Sequence, residues 1–139
     1  MYFYAPNVGA AKYIDQLITK VKTYLDNNTL IIGDLNVALS TIDKYSKHNI
    51  SKETRTLNDT LDQMDFTDIY RTFHPNATEY TFFSSAHGPF SRIDHIVGHK
   101  SGLNQYKKIG IVPCIFSSHN ALKLELNHKN LEETQTCGR

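Results

Sequence analysis

The sequence predicts an α/β (α+β) protein built on a mixed β-sheet with flanking helices, and three observations carry that reading. An aromatic run, an amphipathic stretch and an apolar run follow one another in the first third, which is strand–helix–strand, compatible with a parallel crossover unit. The second half places short apolar and aromatic runs between turn residues, the pattern of paired strands. At 139 residues and 40% hydrophobic, the chain suits one domain with its own core and is not a disordered segment.

Tyr2–Tyr4 reads as the first strand, ended by the turn Pro6-Asn7-Val8-Gly9. Ile14, Leu17, Ile18, Val21, Tyr24 and Leu25 recur at helical spacing, so a helix is placed at Ala10–Leu25 and closed by Asp26-Asn27-Asn28. Leu30–Ile32 is a short buried strand. Val37–Ile50 is polar and aperiodic, hence a loop. A second helix spans Ser51–Met64 on the seam Leu57, Leu61 and Met64. Asp68–His74 reads as a short irregular segment stopped by Pro75. Glu79–Phe83 and Phe90–Val97 read as strands joined by a hairpin loop over 84–89. Tyr106–Phe116 and Ala121–Leu126 complete the strands. Residues 1–126 are taken as one domain and 127–139 as a polar, frayed tail.

Formal charge is +1, which gives little long-range steering toward nucleic acid. Cys114 and Cys137 are too few for a disulfide framework or a paired-cysteine metal site; Cys114 reads as a core thiol. His95 with His99, and Cys114 with His119, invite a zinc reading. Residues four apart on a strand, however, sit too far apart to chelate one ion easily, and zinc is set aside. Lys107-Lys108 reads as a guarded strand edge. The N-x-S/T matches at Asn27, Asn49, Asn58 and Asn76 read as chance. With no secretion signal and no apolar run of membrane-spanning length, the expected setting is intracellular, cytoplasm or nucleus, away from membranes.

Two stretches hold the candidate chemistry. In Ile32-Gly33-Asp34-Leu35-Asn36, Asp34 and Asn36 stand two apart at the end of a strand and so face one side, with Gly33 allowing a ligand close to the backbone. A proton-accepting carboxylate beside an amide suits the attack of water on a phosphodiester. The competing reading is plain turn chemistry. In Ser91-Arg92-Ile93-Asp94-His95 and Ser117-Ser118-His119, Asp94 can orient His119, fixing its tautomer for proton transfer or charge stabilisation. The competing reading has Asp94 capping a turn and His119 at a strand end.

Tyr4-Ala5-Pro6-Asn7, Thr78-Glu79-Tyr80-Thr81-Phe82-Phe83, Arg92-Ile93-Asp94-His95 and Ser117-Ser118-His119-Asn120-Ala121, in that order, resemble the endonuclease/exonuclease/phosphatase superfamily. Asp68-Ile69-Tyr70-Arg71-Thr72-Phe73-His74-Pro75 strengthens the likeness to the endonuclease domain of mammalian long-interspersed, non-LTR retrotransposon polyproteins. The likeness runs from Tyr4 to Leu126 and matches the second half of that domain. It implies the second half of a four-layer α/β-sandwich and a Mg²⁺-dependent endonuclease that nicks target DNA for retrotransposition. It implies catalytic roles for Asp34, Asn36, Asp94, His119 and Tyr4, the last as a phosphate hydrogen-bonder. Asn7 would support the rim of the site, and Thr81, with the Phe82–Phe90 hairpin, would meet the DNA minor groove. An ordinary exposed hairpin competes with that last role.

The resemblance also sets out what is missing. In the family roughly another hundred residues precede the matching region, a size typical of half a large domain. They hold an early Asn and the Glu that is the principal Mg²⁺ ligand. Ser118 stands where the family has an aspartate. Mg²⁺ is held by carboxylates and phosphate oxygens, so no metal ligand is assigned and Mg²⁺ binding is not expected. The expectation is a truncated, inactive descendant of a nuclease; the alternative is a residual DNA-binding or protein-interaction fragment. A lone half should expose an apolar sheet face that the missing half, or another apolar partner, would cover.

Overall fold

Alternation along one strand organises the molecule. In a computed structural model, which describes residues 1–46, 49–83 and 90–127 and the backbone of 133–136, Ile96 and Val97 are both buried but belong to different cores. Their strand, β4 (Asp94–His99), lies inside a four-stranded sheet of order β1-β2-β4-β3, with β1 at Tyr2–Tyr4, β2 at Leu30–Asp34 and β3 at Phe66–Asp68. Strand β1 runs parallel to β2, and β4 is antiparallel to both its neighbours. A three-stranded antiparallel sheet, β5 (Tyr106–Val112), β6 (Ala121–Leu126) and β7 (Glu133–Thr136), forms the next layer.

On one face of the first sheet lie helices α1 (Ala10–Val21) and α2 (Lys52–Gln63), whose Ile14, Ile18, Leu57 and Leu61 pack with Phe3, Ile31, Leu35 and Val97. Each such side chain, fully buried, is worth about 1.5–3 kcal/mol against exposure. On the other face Ile96 meets Ile109, Leu122 and Leu124 of the second sheet, with Ile69 and Tyr70 of the short helix α3 (Ile69–Phe73). The mixed sheet and flanking helices are those expected.

Several elements differ from the sequence reading. The first helix is α-helical only to Val21 and tightens to a 3₁₀ turn over Lys22–Tyr24. Ser51 caps the second helix, accepting the Thr54 N–H at 3.1 Å. The segment read as irregular splits into β3 and α3, because Asp65, at φ 58°, turns the chain sharply out of α2 and into pairing with β4. Glu79–Phe83 is not a ladder strand: Phe82 makes single bridges to Ser91 and to His119, so the segment crosses between two partners. Pro113 removes a donor and ends β5 at Val112, and Asn120 Oδ1 takes the Cys114 N–H at 3.2 Å in place of a strand. Cys114, read as a core thiol, is half-buried and disulfide-bonded.

Within the segment read as a tail, Glu133–Thr136 pairs with Leu122–Glu125. The hairpin loop over 84–89 lies outside the described residues. On β1 and β2, Tyr2 and Tyr4 are exposed, while Leu30 and Ile32 are half-buried against the second core. On the second sheet Lys107 and Lys108 are exposed, and Lys108 Nζ lies 3.4 Å from the half-buried Glu125 carboxylate. Among the described residues no helix is long and apolar enough to cross a membrane.

Candidate active site

Strand register brings the site together. Asp34 ends β2, Asp94 begins β4, and the two are direct partners; Tyr4, at the end of β1, is the partner of Asp34 on its other side. His119 arrives from the second sheet, just before β6. Gly33 makes the β1–β2 approach possible. Its φ is 148°, and a Cβ there would stand 1.9 Å from the Phe3 carbonyl oxygen. The close approach foreseen at Gly33 is thus to a neighbouring strand and not to a ligand.

His119 Nδ1 lies 2.7 Å from Asp94 Oδ2, and its Nε2 lies 3.6 Å from Asp34 Oδ2. Because a carboxylate only accepts, Nδ1 carries the proton and the tautomer is set. All three side chains are buried. Asp34 Oδ1 accepts the Asn36 backbone N–H at 2.9 Å, a local turn that needs φ 54° at Asn36, a conformation Asn tolerates. The Asn36 amide donates to Asn7 Oδ1 at 2.7 Å and, more weakly, to the Ala5 carbonyl at 3.4 Å. Burial, joined by the charge of Asp94, raises the Asp34 carboxyl above its ordinary range, against the opposing pull of His119 and of the Asn36 N–H. An imidazole held between two carboxylates, one of them readied to take a proton, can move protons and present positive charge to an anion.

Thr81 plays another part than the one expected. It is fully buried, and its hydroxyl accepts the N–H groups of Ile93 at 3.1 Å and Asp94 at 3.2 Å, so it fixes the Asp94 backbone and does not face a ligand. Tyr4 is 55% exposed at the mouth of the site. Phe82 packs its ring 4.6 Å from that of His119.

A charged layer behind the site was not foreseen. Arg92, wholly buried, clasps Asp43 through Nε at 2.9 Å and Nη2 at 3.1 Å, reaches Asp68 as well, and lies 4.7 Å over the Tyr70 ring. Arg71 adds a second cation to Asp43. His95 spans from Asp68 Oδ2, at 3.1 Å, to the Val37 carbonyl, at 2.7 Å. Burial pushes Asp68 up, but Arg92 and His95 overcome it and hold that carboxyl far below its ordinary range. This layer ties the Val37–Asp43 loop and β3 to the strand that begins with Asp94. The available signal was an Arg and a His flanking Ile93-Asp94 in an otherwise apolar strand.

Oxygen and nitrogen donors of Asp34, Asp94 and His119 lie within 4.8 Å of one another, close enough to hold a metal ion. The trio does not fit Mg²⁺. One donor is an imidazole nitrogen, Asp94 is engaged by that imidazole, and Ser118 adds no charge, whereas Mg²⁺ takes hard oxygen ligands in a near-ideal octahedron.

The Asp–His–Asp array thus stands at one end of the two central strands of a mixed sheet flanked by helices. The chain belongs to the Endonuclease/Exonuclease/phosphatase family, matched over residues 4–119. Among solved structures it is similar to an AP endonuclease from Archaeoglobus fulgidus, at 19% identity and a TM-score of 0.76 over 91% of this chain and 60% of that one. It is also similar to the endonuclease domain of TRAS1, a telomere-specific non-LTR retrotransposon, at 18% identity and a TM-score of 0.68, over 93% and 56%. A 3'-5' exonuclease (NExo) from Neisseria meningitidis shares 22% identity with a TM-score of 0.63, over 88% and 52%. The chain therefore spans 60% or less of the length of these three structures.

Proposed function

We propose that this chain carries the proton-handling side of a DNA phosphodiesterase site of the endonuclease type, and that by itself it does not cleave DNA. The single observation behind this reading is the Asp94–His119–Asp34 array, buried and fixed by strand register. Asp94 holds the His119 ring, Nε2 faces the reacting phosphate, and Asp34, with its raised affinity for protons, accepts one from the attacking water. Asn36 fixes Asp34 through its backbone and is itself held by Asn7; the Tyr4 hydroxyl meets a phosphate oxygen. Stabilisation of the developing phosphate charge is where the chain falls short. Among the described residues this cluster has two carboxylates, and both face the same imidazole.

The relatives' additional length would supply the remaining charge. A second reading, a binding fragment without chemistry, rests on the exposed Tyr2 and Tyr4 face, which suits a complementary half-domain. The test is plasmid nicking in Mg²⁺ by the chain alone and by the chain mixed with, or fused to, the first half of a family endonuclease. No nicking alone and weak, His119-dependent nicking in the fusion is the expected result. Robust nicking by the unmodified chain, abolished by Asp34→Ala, would overturn the claim of inactivity.

A further inference from the structure

At the far end of β4 from Asp94, about 16 Å along the strand, a cavity of about 320 Å³ opens where α1, α2 and β4 end. Phe66 and His99, register partners on β3 and β4, line it with their ring centroids 5.6 Å apart at 83°. Phe66 is buried, and Leu25 and Met64 are half-buried against the helical core, so the three give the cavity an apolar lining. Lys22 and Asp26 line the same cavity. In a continuous helix they would form an i, i+4 pair. The 3₁₀ turn over Lys22–Tyr24 stops at Leu25, extended at ψ 133°, and Asp26 serves the turn that follows: its Oδ1 accepts the Asn28 N–H at 2.9 Å and the Thr29 hydroxyl at 3.0 Å. Asp26 Oδ2 and the Lys22 ammonium have no partner among the described residues. The Ser101 N–H donates to His99 Nδ1 at 3.1 Å, so the imidazole proton sits on Nε2 and is free to be donated.

We propose that this cavity binds an apolar α-amino acid as the free zwitterion. Its carboxylate meets Lys22 and His99 Nε2, its ammonium meets Asp26 Oδ2, and its side chain lies on Leu25, Met64 and Phe66. Charge complementarity selects this occupant. A monoanion would set its head group against Asp26 as well as Lys22, an amine would meet Lys22, and an uncharged apolar body would leave both charges without a partner. The volume, at the lower end of the range for small-molecule sites, matches a ligand of amino-acid size. The cavity lies apart from the candidate array, and the proposal does not depend on the functional reading above.

The experiment titrates millimolar leucine into the full, isotope-labelled chain and follows the backbone amide resonances. Those of Leu25, Phe66 and His99 should move, and those of Asp94 and His119 should not. Alanine, which lacks most of the apolar body, should bind about 10- to 50-fold more weakly. N-acetyl-leucine and leucinamide, each short of one charge, should each bind about 2- to 5-fold more weakly, the usual worth of an exposed ion pair. Lys22→Met should erase the penalty for leucinamide alone. Asp26→Asn, which keeps the Oδ1 acceptor of the turn, should erase the penalty for N-acetyl-leucine alone, and the amide spectrum itself shows that each variant is folded. No shift with leucine, or shifts at Asp94 and His119 instead, would overturn the proposal while leaving the phosphodiesterase reading untouched. Leucinamide binding as tightly as leucine would overturn it in favour of a peptide N-terminus, and tighter binding of octanoate in favour of a monoanion.

Discussion

Arg92→Met removes a buried cation from between two carboxylates at nearly constant volume, and its cost can be worked from the contacts. Arg92 is wholly buried, and its partner side chains Asp43 and Asp68 are 1% and 12% exposed. Breaking one side of a buried ion pair costs about 3–5 kcal/mol, because a charge is left without compensation. Here two carboxylates are orphaned, but each keeps another partner: Asp43 retains Arg71, and Asp68 retains His95. The expected loss is therefore about 3–5 kcal/mol for the whole substitution and not for each acid. Against a total of roughly 7–20 kcal/mol for a chain of this size, that is a large fraction. Urea unfolding followed by far-UV circular dichroism measures it, with an unchanged m-value showing that the native state is intact. Adding Asp68→Asn to Arg92→Met should recover part of the loss. A change under about 0.5 kcal/mol in the single variant, the range of an ordinary surface substitution, would refute the claim that this ion cluster supports the fold.

Gly33→Ala should be among the most damaging small substitutions, at about 3 kcal/mol or more, since it combines a disfavoured positive φ with a backbone clash; thermal melting reads it, and a melting temperature within a degree or two of the parent would contradict the packing described. Asp34→Asn should stabilise the chain by about 0.5–2 kcal/mol at neutral pH, and the same variant in the fusion should lose nicking. The sign follows from its raised folded pKa: Asp34 costs stability once pH exceeds its unfolded value of 3.8, and an amide removes that cost. Asp68 works in the opposite sense. Its depressed folded pKa contributes stability above the unfolded value of 3.8 that is lost as pH falls below it, so Asp68→Asn should flatten the acid limb of a pH–stability curve. Ser118→Asp should leave the chain alone inactive yet raise nicking in the fusion by ~10²-fold, the usual worth of one electrostatic contact at such a site.

Those outcomes divide along the same line as legibility. Elements defined by periodicity were readable: the Ile14, Ile18 face and the Leu57, Leu61 seam placed both long helices, and Ala121–Leu126 was bounded to the residue. What escaped was set by distant partners. Thr81 looks like any exposed hairpin threonine until β4 folds its Ile93 and Asp94 N–H groups onto the hydroxyl. Phe66–Asp68 is too short to show alternation and becomes a strand only because β4 offers it an edge. Cys114 reads as a core thiol because nothing local reveals a bond to a residue elsewhere. In the site, spacing put Asp34 and Asn36 on one strand face, but β2 ends at Asp34 and Asn36 sits in the turn after it with its N–H on Asp34 Oδ1. The pairing of Asp94 with His119 needed the family resemblance, since the two lie 25 residues apart on different elements.

The persistence of this geometry in a chain proposed to be inactive has a structural cause. Asp34 and Asp94 are placed by strand register, and the loop after Asn36 is pinned by His95 on the Val37 carbonyl, which is held in turn by Asp68 and Arg92. These tethers serve the fold whether or not a phosphate is ever bound. Removing any of them costs stability, while replacing Ser118, exposed on the rim, disturbs none of the contacts that hold the sheet. An acid needed only for charge at the phosphate is thus free to vary, whereas the Asp34–His119–Asp94 array is carried along by the packing around it. On this argument His119→Ala should abolish fusion activity, whereas Arg92→Met should reduce it in proportion to the unfolded fraction, a distinction visible by assaying both across a urea series.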